Sequence, residues 1–309
     1  MAATASKVTV DLNAHAKKIG KQDKFATGVL TFIVGFVLFL LAAIICYILY
    51  RGLPTVLSEG FLTNPSNDSE NPGIVYQLFD SFYMLFVTLL ISVPISLFAA
   101  IFLVEYAPDN WVTSAASTAI EALSSLPSIV VGMFGSLFFV VTLGWGISII
   151  AGALALTMFN IPILVRVIQQ ALEDVPSSQR DAALAMGLTR WETTIHVLLP
   201  AAMPAIISGI VLSAGRVFGE AAALMYTSGS AASRLNFAST NLSSATNPWN
   251  IFRPAQTLAV YIWQLATEGL SGSSDTAWGV AAVLIICVLM FNLLARFLGN
   301  VLSRKMTSE

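Results

Sequence analysis

The sequence predicts an all-α integral membrane protein with six transmembrane helices, and three observations carry that reading. Apolar residues make up 56% of the 309 positions and charged residues only 10%, with a mean hydropathy of +0.79, unlike an ordinary soluble domain. Six apolar runs alternate with polar, Pro-rich or Gly-rich stretches. Lysine and arginine concentrate in alternate connections, which gives the spans a direction.

Taken in order, residues 1–25 form a polar tail with Lys7, Lys17, Lys18, Lys21 and Lys24 and little apolar periodicity. The run 26–50 exceeds the ~20 residues that cross a bilayer and the roughly 7–15 of a signal-peptide core. It is therefore read as a retained first span, opening a transmembrane domain over 26–303. Residues 51–76 contain Asn64-Pro65-Ser66-Asn67-Asp68, which favours turns, and are placed outside. The second span, 79–104, carries Pro94, whose freed carbonyl neighbouring helices can satisfy, and ends at Glu105-Tyr106-Ala107-Pro108-Asp109. A helical approach, 114–126, leads to the third span, 129–143, closed by Gly144-Trp145-Gly146. The fourth span is 147–167, with Pro162 near its inner end.

A polar loop, 172–204, precedes the fifth span at 205–226. The long outer loop 227–276 is expected to hold a short interfacial helix within 254–269, where Tyr261 and Trp263 suit the membrane surface. The sixth span, 280–298, leads to a tail at 304–309 with Arg304 and Lys305. Arg180 and Arg190 lie in the central loop, whereas the opposite face has Arg51, Arg234 and Arg253 and no lysine. Both termini and the loop 172–204 are therefore expected in the cytoplasm.

Several chemistries find no support. There is no G-x-x-x-x-G-K-[ST] loop to hold ATP, and no H-E-x-x-H, C-x-x-C or G-x-S-x-G. The only histidines are His15 and His196. Cys46 and Cys287 sit in separate apolar runs, where cysteine behaves as a small hydrophobe. The net charge of −2 gives no reason to expect a nucleic-acid partner.

Three stretches can carry function. In the central loop, Ser178 and Asp181 have the spacing of a capping-box variant that starts a helix after Pro176. Gly187 can take the left-handed conformation that ends it. The helix would lie along the membrane surface and present Ala182, Ala183 and Ala185 to a partner's cleft, or be an ordinary amphipathic linker. A second helix from Arg190 returns to the membrane at Pro200. In the fifth span, Arg216 lies about twelve residues from Ala205, near mid-membrane at ~1.5 Å per residue, where a charge is expensive and usually functional or paired. Glu220, one turn on, can meet it. The pair is either an internal tie between helices or a substrate site, since an arginine fork suits phosphate oxygens. Finally, Ser124, Ser125 and Ser128 flank Pro127. They can offer hydroxyls and freed amides to an oxyanion, or merely bond back to a kinked helix. Arg166, near the inner end of span four, reads as an interface anchor ahead of a substrate contact.

The central loop resembles the EAA loop of ABC-transporter membrane subunits. Asp181-Ala182-Ala183, Gly187 and Val197-Leu198-Leu199-Pro200 match the family's Glu-Ala-Ala, Gly and Ile-x-Leu-Pro, with Asp for Glu and Val for Ile. More particular stretches are similar to the PstA-type permease of phosphate importers. They are the run Leu126-Pro127-Ser128-Ile129-Val130-Val131-Gly132-Met133-Phe134, the run Gly215-Arg216-Val217-Phe218-Gly219-Glu220, and the outer Thr257-Leu258-Ala259-Val260 with Thr267-Glu268-Gly269. Residues 94–107 add to the likeness, and Ala221 stands where the family often has Thr.

The resemblance implies a type I ABC importer permease fold with a cytoplasmic coupling helix, in the cytoplasmic membrane of a bacterium or archaeon. It implies a second permease of PstC type, a PstB-type ATPase dimer holding ATP and Mg, and an external PstS-type phosphate-binding protein. The chain itself is expected to bind no cofactor and to be no enzyme. Arg216 would be the family's translocation arginine, and Asp181, Ala182, Ala183, Gly187 and Pro200 the ATPase-coupling residues. The alternatives are a permease for molybdate, sulfate or phosphonate, or a membrane sensor of phosphate that does not transport.

Overall fold

The computed structural model describes residues 2–65, 73–231, 234–268 and 273–307. Ser66, Asn67, Asp68 and Gly269 lie outside the described residues, as do the side chains of Lys7, Lys17, Lys18, Lys21, Arg304 and Lys305. Among the described residues the chain is helical and has no strand. It divides into two units, Met1–Arg51 and Gly52–Glu309.

The first unit is most of α1, Ala2–Val56. Its stretch Asp23–Val56 is long and apolar enough to cross a membrane. The helix starts at Ala2 and continues without a break into the span, so the polar segment ahead of it is helical too. No proline precedes Pro54, and the Ala and Lys of the segment are good helix formers, so nothing local stops the helix.

In the second unit α2, Val75–Ile101, carries Pro94 inside it and runs on into one π-helical turn, Phe102–Tyr106. The third span is bent by 99°: α3, Trp111–Ser124, stops before Pro127, and α4, Ser128–Gly135, resumes after it. Proline disfavours a helical residue before it and cannot donate to the preceding turn. A second π turn, Ser136–Thr142, completes this span. α5 is Ile149–Glu173, α6 is Ser177–Ala185 and α7 is Arg190–Thr193. A third π turn, Thr194–Leu198, joins α7 to α8, Leu199–Phe218. Next come α9, Ala222–Thr227, α10, Leu258–Glu268, and α11, Ser273–Thr307. Five unbroken helices, or six spans with the bent pair counted as one, have membrane-crossing length and composition.

Three boundaries differ from the sequence reading. The fifth span is not one helix over 205–226: α8 ends at Phe218, Gly219 to Ala221 break it, and α9 follows. The interfacial helix in the outer loop begins only at Leu258, and its first turn is buried, Leu258 and Val260 being 0% exposed. α11 continues through the expected tail at 304–309 as far as Thr307.

The interior has two apolar clusters. Met84, Leu85, Ile149, Leu156, Ala214 and Val217 belong to the one nearer the outer loop. Ile101, Leu164, Ile168, Leu172, Leu198 and Ile206 belong to the other. Between them sits a polar knot of buried side chains. Asn160 on α5 donates through Nδ2 to Ser92 Oγ on α2 at 3.1 Å, and its Oδ1 accepts from the Ser213 hydroxyl on α8. In lipid such bonds hold helices together without a hydrophobic driving force between them. Small residues do the same by close approach. A Cβ on Gly132 of α4 would lie 2.5 Å from the Ala223 Cα of α9, so only glycine fits there.

The loop between α9 and α10 is fastened to α2 by a fully buried ion pair. Arg253 Nη2 donates to Asp80 Oδ1 of α2 at 2.5 Å, and both side chains are 0% exposed. The guanidinium also donates to the carbonyls of Pro248 and Pro254, while Asp80 Oδ2 accepts from the Gln256 N–H at 3.2 Å. The loop in turn supplies acceptors to the amino end of α5: the Ile149 and Ile150 N–H groups donate to the Arg253 and Ile251 carbonyls, each at 2.9 Å. These are orphan donors that any helix start must satisfy.

Candidate functional site

Arg216 occupies the last turn of α8, where the carbonyl end of the helix favours a cation. Its side chain is exposed. The expected contact with Glu220 does not form: the ion pairs among the described residues include Arg166–Glu121, Arg180–Glu105 and Arg253–Asp80, and none joins Arg216 to Glu220. The helix break is the reason. One turn of continuous helix would align positions 216 and 220, but Glu220 lies past the end of α8, and its Oε1 accepts from the Ala223 N–H at 3.3 Å in the first turn of α9. Arg216 instead lies over an aromatic face, its Cζ 4.0 Å from the centroid of the Phe159 ring. Phe159 is 3% exposed and belongs to α5. Thus Arg216, at the carboxyl end of α8 and not midway along one continuous helix, holds its charge on a π surface, with no carboxylate partner among the described residues.

Two of the three hydroxyls beside Pro127 bond back to their own helix. Ser124 Oγ donates to the Glu121 carbonyl at 2.8 Å and Ser125 Oγ to the Ala122 carbonyl at 2.7 Å. Ser128 starts α4. The Gly132–Ala223 approach brings α4 against α9, so the Pro127 segment and the segment after Glu220 share one packing face. Arg166 forms an exposed pair with Glu121 of α3, in keeping with an anchor.

The central loop forms its helix, α6, but by other means than expected. Pro176 is the N-cap residue, and no side chain caps the helix, so Ser178 and Asp181 make no capping box. The capping box lies one helix later, where Thr189 Oγ1 accepts from the Glu192 N–H and Glu192 returns the bond to the Thr189 N–H. Gly187 has φ of +89° and ends α6 as predicted. The Leu188 N–H donates to the Ala183 carbonyl at 3.2 Å and the Gly187 N–H to the Leu184 carbonyl at 3.0 Å, the pattern of a left-handed helix stop.

Ala183 is buried, whereas Asp181, Ala182 and Ala185 are exposed. Beside them Leu184, Met186 and Trp191 are exposed too, Met186 at 81%. Pro200 lies in the first turn of α8. Glu105, in the π turn that ends α2, holds this loop from within. Its Oε1 accepts from Arg180 of α6, and its carbonyl accepts from Arg190 Nη1 of α7 at 3.3 Å. α6 is thereby tied to the carboxyl end of α2, while Asp181, Ala182, Leu184 and Met186 stay exposed.

Sequence reasoning missed Asp80, Asn160, Phe159 and Glu105. Asp80 and Asn160 interrupt apolar runs, a readable sign of a polar role inside a membrane, and Thr189-Arg190-Trp191-Glu192 is a readable capping box. Their partners are readable nowhere in the sequence.

Residues 92–308 match the family described as "Binding-protein-dependent transport system inner membrane component". The chain is 48% identical over 288 residues to the "Probable ABC transporter permease protein YqgI" of Bacillus subtilis (strain 168), covering 93% of this chain and 98% of that one. It is 28% identical over 294 residues to the "Phosphate transport system permease protein PstA" of Haemophilus influenzae, covering 94% of this chain and 97% of that protein. Its fold is similar to that of a bacterial alginate ABC transporter, solved in complex with an alginate pentasaccharide-bound periplasmic protein. That match has a TM-score of 0.61 at 14% identity and covers 93% of this chain and 97% of the other.

Proposed function

This multi-pass membrane chain belongs to the family of binding-protein-dependent transport system inner membrane components, is a permease component of an ABC importer with the type I fold, and, we propose, imports inorganic phosphate. The observation that carries the cargo is Arg216: a cation in the larger helical unit with no carboxylate bound to it among the described residues. Its planar fork of N–H donors suits the oxygens of a tetrahedral oxyanion. The PstA relative supports phosphate over other anions.

In this reading both termini and α6 face the cytoplasm of a bacterial or archaeal cell. A separate ATPase dimer receives α6 in a cleft and contacts Asp181, Ala182, Leu184 and Met186. A second permease completes the pathway, and an external binding protein delivers phosphate. Closure of the ATPases drives α6, and Glu105 passes the movement to α2. Gly187→Arg forces a bulky side chain into the left-handed position that ends α6, so ATP hydrolysis should continue while uptake falls. Unchanged coupled turnover in that variant rejects the role of α6.

The cargo is tested by ATP-dependent uptake of labelled phosphate into vesicles holding the reconstituted complex. Arsenate, as a close tetrahedral mimic, should compete and sulfate should not. Sulfate competing equally would make the protein a general oxyanion permease, and phosphate binding without uptake would make it a sensor.

A further inference from the structure

Arg216 rests on a ring and not on a carboxylate, and the two kinds of support leave different atoms free. A carboxylate pairs with the guanidinium edge and consumes its N–H donors. A ring covers one face through the attraction of its π quadrupole for a cation, and leaves the N–H edge untouched. Phe159 does the second: the Arg216 Cζ is 4.0 Å from its ring centroid, while the Glu220 carboxylate is engaged with the first turn of α9.

The ring is also held still. Phe159 is 3% exposed, and the next residue, Asn160, is bonded to Ser92 of α2 and to Ser213 of α8. Ser213 stands three residues before Arg216 on the same helix. The Asn160 bonds therefore fix the level of α5 against α8 at the turn where ring and guanidinium meet. Asn160 is 1%, Ser92 0% and Ser213 3% exposed, so the alignment is built into the interior.

We propose that Phe159 is the positioning residue of the anion site: its ring orients the Arg216 guanidinium with the N–H edge open for an oxyanion. This rests on the reading of Arg216 as the residue that meets the cargo. The ring must neither release the arginine nor compete with the anion for its donors: the Cζ sits 4.0 Å from the ring centroid, and no ion pair among the described residues engages the guanidinium.

The test is a fluorination series at Phe159, with mono-, di- and trifluorophenylalanine introduced into the full complex. Fluorine drains the negative face of the ring and hardly changes its shape. The rate of ATP-driven uptake of labelled phosphate, at saturating phosphate and binding protein, should fall with each fluorine, about threefold to tenfold across the series. The thermal midpoint and the basal ATPase rate should stay constant. A purely packing role predicts no such trend.

Arg216→Ala is measured alongside. If it abolishes uptake and the fluorination series is flat, the role of Phe159 is overturned while the anion site stands. If Arg216→Ala imports at the normal rate, the anion site fails and the positioning role fails with it.

Discussion

Arg253 and Arg216 lie in the same helical unit, and their surroundings are opposite. Arg253 is fully buried, paired with Asp80 at 2.5 Å and surrounded by carbonyl acceptors. Arg216 is exposed and lies over the face of Phe159, without an ion-pair partner among the described residues. A guanidinium whose donors are spent holds structure together, here the outer loop to α2 and to the start of α5. A guanidinium whose donors are free is available to a ligand. Arginine content alone does not separate the two; the acceptors around each one do.

The comparison is broken most forcefully at Arg216. Arg216→Lys keeps the charge but replaces the flat fork with a compact point charge, and Arg216→Ala removes the charge altogether. Uptake should drop to background in both, with complex assembly and thermal midpoint unchanged. A variant that imports normally would place Arg216 in Arg253's class.

The converse is expected at the outer loop. Asp80→Asn leaves Arg253 buried without its counter-charge, and breaking such a pair costs about 3–5 kcal/mol. The unfolding midpoint of the purified protein should fall sharply, and the loop between α9 and α10 should become sensitive to added protease. Replacing both partners together by apolar residues of similar volume should recover much of that loss, because no uncompensated charge remains. An undiminished midpoint in Asp80→Asn would remove the distinction between the two arginines.

The smallest effect marks the other limit. Arg166 and Glu121 are paired but about half exposed, at 51% and 57%, and exposed pairs contribute about 0–1 kcal/mol. Glu121→Gln should leave the unfolding midpoint nearly where it was and uptake intact. A large loss of uptake would give Arg166 a part in transport that its present partner does not suggest.

Much of the fold was legible because membrane burial writes itself into composition: the apolar runs became five unbroken helices of membrane-crossing length and one bent pair. Proline at 127 marked the bend, and Gly187 marked the end of α6 because a left-handed turn all but demands glycine. The errors share one cause. Apolar periodicity does not register a break of a few residues between helices, so 205–226 read as a single helix and Arg216 acquired Glu220 as a neighbour by counting. The capping box was expected at Ser178, yet proline can start a helix unaided, and the reciprocal bonds formed at Thr189 and Glu192.

The sequence by itself determined that this chain crosses a membrane several times, that it carries a helical loop of the ABC-permease kind, and that a charge at position 216 needs a reason to be there. Each follows from a local rule: hydropathy, motif spacing and the cost of a charge in hydrocarbon. Only the tertiary structure decided which charges are satisfied. Asp80 and Arg253 are 173 residues apart in the chain, and Ser92, Asn160 and Ser213 come from different helices. Such contacts depend on how whole helices pack, and packing joins positions that no local period connects.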